Sequence, residues 1–149
     1  MNQEALKILA LLIQEFEGLE LNAYLCPAKV WTIGYGHTED VKQGDFITLQ
    51  MANDILKKDM EKYWDGALRL SYKLDKATPS QQAAIVDFCY NCGLGNYEKS
   101  SLRRLVGMQD WEGASKSILK WNKAKVNGVL TVLRGLTRRR IAESKLLLK

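Results

Sequence analysis

The stretch EGLELNAYLCPAKVWTIGYGHT, Glu17 to Thr38, decides the reading of this chain. It opens on an acidic residue that ends an apolar, helix-like run. Asn22 to Cys26 and Val30 to Tyr35 are β-prone, and Pro27-Ala28-Lys29 between them reads as the turn of a hairpin. A carboxylate at a helix end therefore faces a short hairpin, which is the layout of a catalytic site.

Working outward, Ala5, Ile8, Leu9, Leu12, Ile13 and Phe16 recur at helical spacing and define one buried face. Asn2 supplies an N-cap, and Gly18 the left-handed residue past the end. Glu17 is then the last helical residue, on the rim of the buried face. Gly44 turns the chain before Thr48, which caps a long helix through Ala52, Ile55, Leu56, Asp59, Met60 and Tyr63. Thr78-Pro79-Ser80-Gln81 is a capping box with proline at the first helical position, and it starts a helix that ends at Gly93. Further helices are expected over Ser100 to Val106, Trp111 to Lys120 (capped by Asp110) and Leu136 to Leu148, so the second half reads as all helix. The fold class is α+β and mostly helical, in a single domain over 1–149. A small hairpin lobe covers about 18–60, a larger helical lobe about 1–17 and 61–149, and a cleft lies between them. The hairpin lobe is small for its own core, so the first helix is expected to pack elsewhere.

A chain of 149 residues can bury roughly two-thirds of its unfolded surface without disulfides or metal. Its 46% hydrophobic and 26% charged residues are ordinary for a folded soluble protein, and no repeat interrupts it. A net charge of +5 suits a polyanionic partner, either nucleic acid or an anionic wall polymer. The basic residues are dispersed except at Arg138 to Arg140, and no nucleic-acid-binding signature is present, which argues against nucleic acid. The apolar run Ile8 to Ile13 is too short to span a bilayer, and no basic segment or small-residue cleavage site marks a signal peptide. Stable membrane insertion is not expected. Three cysteines, irregularly spaced, make no disulfide scaffold and fit synthesis in a reducing cytoplasm.

Glu17, Cys26 and Thr32 stand in the spacing Glu-x(8)-Cys-x(5)-Thr, followed at once by Ile33-Gly34-Tyr35-Gly36-His37-Thr38. With Tyr90-Asn91-x-Gly93 and Gly135-Leu136 before Arg139-Arg140-x-x-Glu143, the chain resembles the phage-type lysozymes of glycoside hydrolase family 24 over nearly its whole length. The resemblance implies a lysozyme-like fold and hydrolysis of the β-1,4 bond between N-acetylmuramic acid and N-acetylglucosamine in peptidoglycan, with neither cofactor nor metal. It implies Glu17 as general acid, Cys26 where other members carry Asp or Cys, and Thr32 holding the attacking water. Tyr90 and Asn91 are expected to line the cleft. Arg139 and Arg140 are assigned to substrate binding, and one arginine of 138–140 is expected to reach the catalytic carboxylate. His37 should form a structural ion pair with Asp59. The endolysin reading further implies a monomer that accumulates in the host cytoplasm and reaches the wall through a separate pore protein, a holin.

The residue chemistry is consistent with that reading. A glycosidic leaving group needs a proton from a carboxylic acid. The apolar face beside Glu17 and the negative end of its helix dipole both favour the protonated form. A thiol at 26 is a poorer base at neutral pH than a carboxylate, so it either orients or activates water or attacks the sugar directly. Cys89-x-x-Cys92 lies at a helix C-terminus, whereas redox pairs use the N-terminus and zinc needs two more ligands; it is read as structural. Trp31, Trp64, Trp111 and Trp121 are read as core or rim residues. Two other functions fit the same residues: a lysozyme-like domain that binds peptidoglycan without cleaving it, and the lysozyme of a phage tail or host regulator.

Overall fold

A computed structural model describes residues 1–149. The first helix, α1 (Gln3–Glu17), starts where the Asn2 side chain accepts from the backbone N–H of Glu4 and Ala5, and it stops at Gly18, whose φ is 69°. Ala5, Leu9, Leu12 and Ile13 bury its inner face, which packs on the later helix α3 (Pro79–Cys92) rather than under the hairpin.

Strands β1 (Glu20–Leu25) and β2 (Trp31–Gly34) form an antiparallel hairpin pairing Tyr24 with Thr32 and Leu25 with Trp31. A bulge lies between Glu20 and Tyr24. The turn residue Lys29 has a positive φ of 61°, and the N–H of Cys26 donates to the carbonyl of Val30.

Helix α2 (Leu49–Leu70), capped by Thr48, is 22 residues long, so it spans about 33 Å. It crosses the expected lobe boundary without a break. Its first half meets β2, where Ile33, Tyr35, Ile47, Ala52 and Leu56 are buried; its second half buries Trp64 and Ala67 with the helical lobe.

The capping box of α3 forms as its sequence dictates: Thr78 accepts from the Gln81 N–H, and Gln81 reaches back to the Thr78 N–H. This helix is the centre of the core, with Ala83, Ala84, Ile85, Val86, Phe88 and Cys89 fully buried. Short helices α4 (Leu94–Lys99), α5 (Ser101–Gly107) and α6 (Trp111–Ile118) follow, and α7 (Arg134–Leu147) packs on α3 and α6.

The second half is not all helix. Residues Lys123–Val126 (β3) and Val129–Val132 (β4) form a second antiparallel hairpin. Its turn is Asn127-Gly128, with φ of 51° and 79°, the left-handed pair of a two-residue turn whose twist matches that of the flanking strands.

Candidate active site

A cleft of about 860 Å³ runs between the first hairpin, α2, the end of α3 and the second hairpin. Glu17, Cys26 and Thr32 all line it, as do His37, Asp59, Tyr90 and Asn91. The sequence reading gave no site role to Tyr24, Gly36, Lys62 or Tyr63, nor to Ala124 to Val126 on β3, all of which also border it.

Glu17 stands at the last turn of α1, its side chain 22% exposed. Its Oε2 accepts from Nη1 of Arg139 at 2.7 Å. A guanidinium only donates, so the oxygen it holds is the unprotonated one, and a proton on Glu17 belongs on Oε1. That atom lies against Gly36: a Cβ there would come within 2.8 Å of it, and the φ of 80° at Gly36 is itself unfavourable for any other residue. The glycine thus makes the space in which the carboxyl group sits.

Cys26 is half-buried at the hairpin turn. Burial works to raise its thiol pKa, but hydrogen bonds from the backbone of Val30 and Ala28 and from the Thr32 hydroxyl outweigh it, and the thiol is lowered from its ordinary value. Thr32 is buried, and its hydroxyl donates to the Val30 carbonyl at 2.9 Å. Its single proton serves either that carbonyl or the sulfur.

His37 Nδ1 lies 2.7 Å from Asp59 Oδ2, joining the hairpin lobe to α2. The hydrogen bond to Asp59 raises the His37 pKa, with burial opposing. Tyr90 donates its hydroxyl to the carbonyl of Tyr35 and packs on Tyr63 with ring centroids 5.2 Å apart. Burial pushes the Tyr90 phenol well above its usual range.

Of the three arginines, Arg139 is the one that reaches Glu17. It is only 3% exposed, and its other edge is held by Asp87 on α3, with Nη2 to Oδ1 at 2.7 Å and Nε to Oδ2 at 2.9 Å. Arg140 does not fit the expected substrate-binding role. It is fully buried, paired with Glu143 at 2.6 and 2.7 Å and lying over the Phe88 ring, because α7 turns this face into the core. Arg139 likewise stands behind the cleft wall rather than on it, its guanidinium taken by two carboxylates.

Burial disfavours the thiolate at both cysteines of the C-x-x-C pair. Burial raises Cys89 well above its usual value and pushes Cys92 up to about 11. Asp87 escaped the sequence reading, although a single Asp in the apolar run Ala83 to Phe88 was the available signal.

A protonatable carboxyl group, a polarised thiol and a hydroxyl around one open cleft between two lobes make a glycosidase-type site. The chain belongs to the phage lysozyme family, whose model matches residues 14–143, and is a muramidase-type glycoside hydrolase. It is 41% identical over 135 residues to the endolysin of Acyrthosiphon pisum secondary endosymbiont phage 1, covering 91% of each chain. Its fold is similar to the muramidase domain of SpmX from Asticaccaulis excentricus, with a TM-score of 0.85 and 31% identity over 99% of this chain and 97% of that one. An endolysin from Escherichia coli O157:H7 phage FAHEc1 gives a TM-score of 0.82 at 30% identity, covering 99% of this chain and 92% of that one.

Proposed function

We propose that this lysozyme is an endolysin that cleaves the β-1,4 bond between N-acetylmuramic acid and N-acetylglucosamine, with Glu17 delivering the proton to the leaving oxygen. The observation that carries the reading is the asymmetric setting of that carboxyl group, Oε2 on Arg139 and Oε1 beside Gly36 at the cleft wall. Cys26 and Thr32 act on the other reactant, the thiol and hydroxyl orienting or activating water. Tyr90 and Asn91 contact the glycan on the floor of the cleft. His37 and Asp59 brace the hairpin lobe against α2.

Glu17→Gln keeps size and hydrogen bonding but cannot deliver a proton. Clearing of outer-membrane-stripped cells should fall roughly 10²–10⁴-fold, the usual contribution of general acid catalysis, with folding little changed. Near-normal activity in the folded variant rules out the assignment. The thiol in place of a carboxylate at 26 supports one other reading, a domain that holds peptidoglycan without cutting it; wild-type binding to purified walls with no new reducing ends would favour it.

The proposal extends to release. No helix is long and apolar enough to cross a membrane, and the chain is read as a monomer that accumulates in the host cytoplasm and passes to the wall through a separately made holin pore. Fractionation of cells expressing it without a pore protein should leave it inside; export of the full-length chain would overturn this part.

A further inference from the structure

We propose that Asp87 is a positioning residue for the catalytic acid: by holding the Nε and Nη2 edge of the Arg139 guanidinium it fixes the plane of the fork so that Nη1 alone reaches Glu17, and so sets both the orientation of that carboxyl group and its share of the arginine's charge. The inference rests on the reading of Glu17 as general acid.

Arginine presents five N–H donors in a rigid planar fork. Asp87 takes Nε and Nη2 at 2.9 and 2.7 Å, the bidentate arrangement, while Nη1 alone reaches Glu17 at 2.7 Å. The three residues come from α3, α7 and the last turn of α1, so the fork ties the acid to the two central helices of the core. Asp87 has no exposed surface, and burial without the arginine would be strongly unfavourable for its carboxylate. An arginine side chain is long and holds much rotamer freedom. Without Asp87, the guanidinium is free to turn its bidentate edge toward Glu17, and a carboxylate gripped by two charge-assisted hydrogen bonds holds a proton less readily than one held at a single oxygen. The present geometry avoids that: one oxygen is anchored, and the other stands beside Gly36 to carry the proton.

The charged and titratable groups facing this fork are Arg140 and Glu143 from α7, Cys89, Tyr90 and Cys92 from α3, and Tyr24 from the first hairpin. All are present in both wild type and an Asp87 variant, and Glu143, whose carboxyl Asp87 helps to hold above its usual range, is the one whose charge responds to the substitution.

The test compares wild type with Asp87→Asn, which keeps shape but loses charge, and with Asp87→Ser, which leaves room for water should the amide oppose the arginine too strongly to fold. Two readouts are needed. The first is the ¹³C titration of Glu17 in the ligand-free protein, identified by its loss in Glu17→Gln. The second is the pH profile of kcat and KM on solubilised peptidoglycan. In either folded variant the Glu17 titration and the alkaline limb of kcat should move together to lower pH, with kcat on that side falling about tenfold for each unit moved and KM nearly unchanged. A variant that folds less stably but keeps the wild-type titration and limb would show Asp87 to be structural and overturn the proposal. Activity in Glu17→Gln would instead overturn the underlying assignment, so the two failures are distinguishable.

Discussion

At His37 a single hydrogen bond couples the hairpin lobe to α2, and its strength depends on proton binding. The hydrogen bond to Asp59 raises the folded-state pKa of the imidazole. Stability from this source is therefore fully present below the unfolded value, near 6.5, and is lost as pH rises through the folded value. His37→Asn should destabilise most in mildly acidic solution, by about 1.5–3 kcal/mol for a hydrogen bond between charged partners, and least at alkaline pH. Urea titrations at a series of pH values check this, and a difference flat with pH would mean that the ion pair contributes nothing. Cys26 makes the second prediction at this scale. Its thiol is lowered by the hydrogen bonds around the turn, whereas Cys89 and Cys92 are raised by burial, so a small thiol reagent near neutral pH should react first at 26. It should abolish lysis in wild type and in a Cys89→Ala/Cys92→Ala double variant, but not in Cys26→Asp, where a carboxylate takes over the task. Full activity in Cys26→Ala would remove sulfur from the mechanism. These residues stood out in the sequence because they sit in one contiguous stretch. Asp87 did not acquire a role there, because its importance lies in Arg139, which approaches it from a helix 52 residues further along the chain.

Helix ends were legible because caps are local chemistry: Asn2, Thr48, the Thr78 box and Asp110 each satisfy backbone donors within three residues. The second hairpin was missed although Asn127-Gly128 between apolar residues is a strong hairpin signal. Lys123 and Lys125 alternate with Ala124 and Val126, so the pattern was present but weakly apolar, and most of the ribbon is exposed. Without a buried face to enforce register, the turn has to specify the ribbon. Gly128→Ala, at a φ of 79°, should therefore cost about 1–2 kcal/mol locally while leaving the global urea midpoint nearly unchanged, since the ribbon contributes little to the core. Because Ala124, Lys125 and Val126 border the cleft, the loss should appear as a higher KM with kcat kept. Amide exchange across 123–132 gives the local reading. An unchanged exchange rate there would mean that the turn is not what holds the ribbon.

Over the whole molecule, periodicity and caps were enough to place the core helices, but not to show that two neighbouring sets of ionisable side chains lie between them. Glu17, Arg139, Asp87, Arg140 and Glu143 bring α1, α3 and α7 together, and only Glu17 keeps appreciable exposure. The sequence shows three arginines in a row; which of them turns inward depends on the rotation of α7 against α3. Arg138 is exposed, while Arg139 and Arg140 are buried. Burial, and then the neighbouring Asp87, hold the Glu143 carboxyl well above its usual range, with Arg140 opposing. Removing Arg140 leaves that acid with no counter-charge of its own. Arg140→Met, which keeps bulk over Phe88, should cost about 3–5 kcal/mol at neutral pH, the usual consequence of breaking a buried pair. For a domain of total stability about 5–15 kcal/mol, that is roughly a fifth or more. A raised acid contributes stability that is present below its unfolded pKa, about 4.3, and lost as pH rises through the folded value. The deficit of Arg140→Met should therefore shrink toward pH 4 and grow toward pH 8. Replacing both partners, Arg140→Met with Glu143→Leu, removes the charge altogether and should recover most of the loss. Urea midpoints for the three proteins across that range decide the matter: if the double variant is as unstable as the single one at pH 8, the arginine holds the fold through packing and its hydrogen bonds to Cys92 and Trp121, not through Glu143.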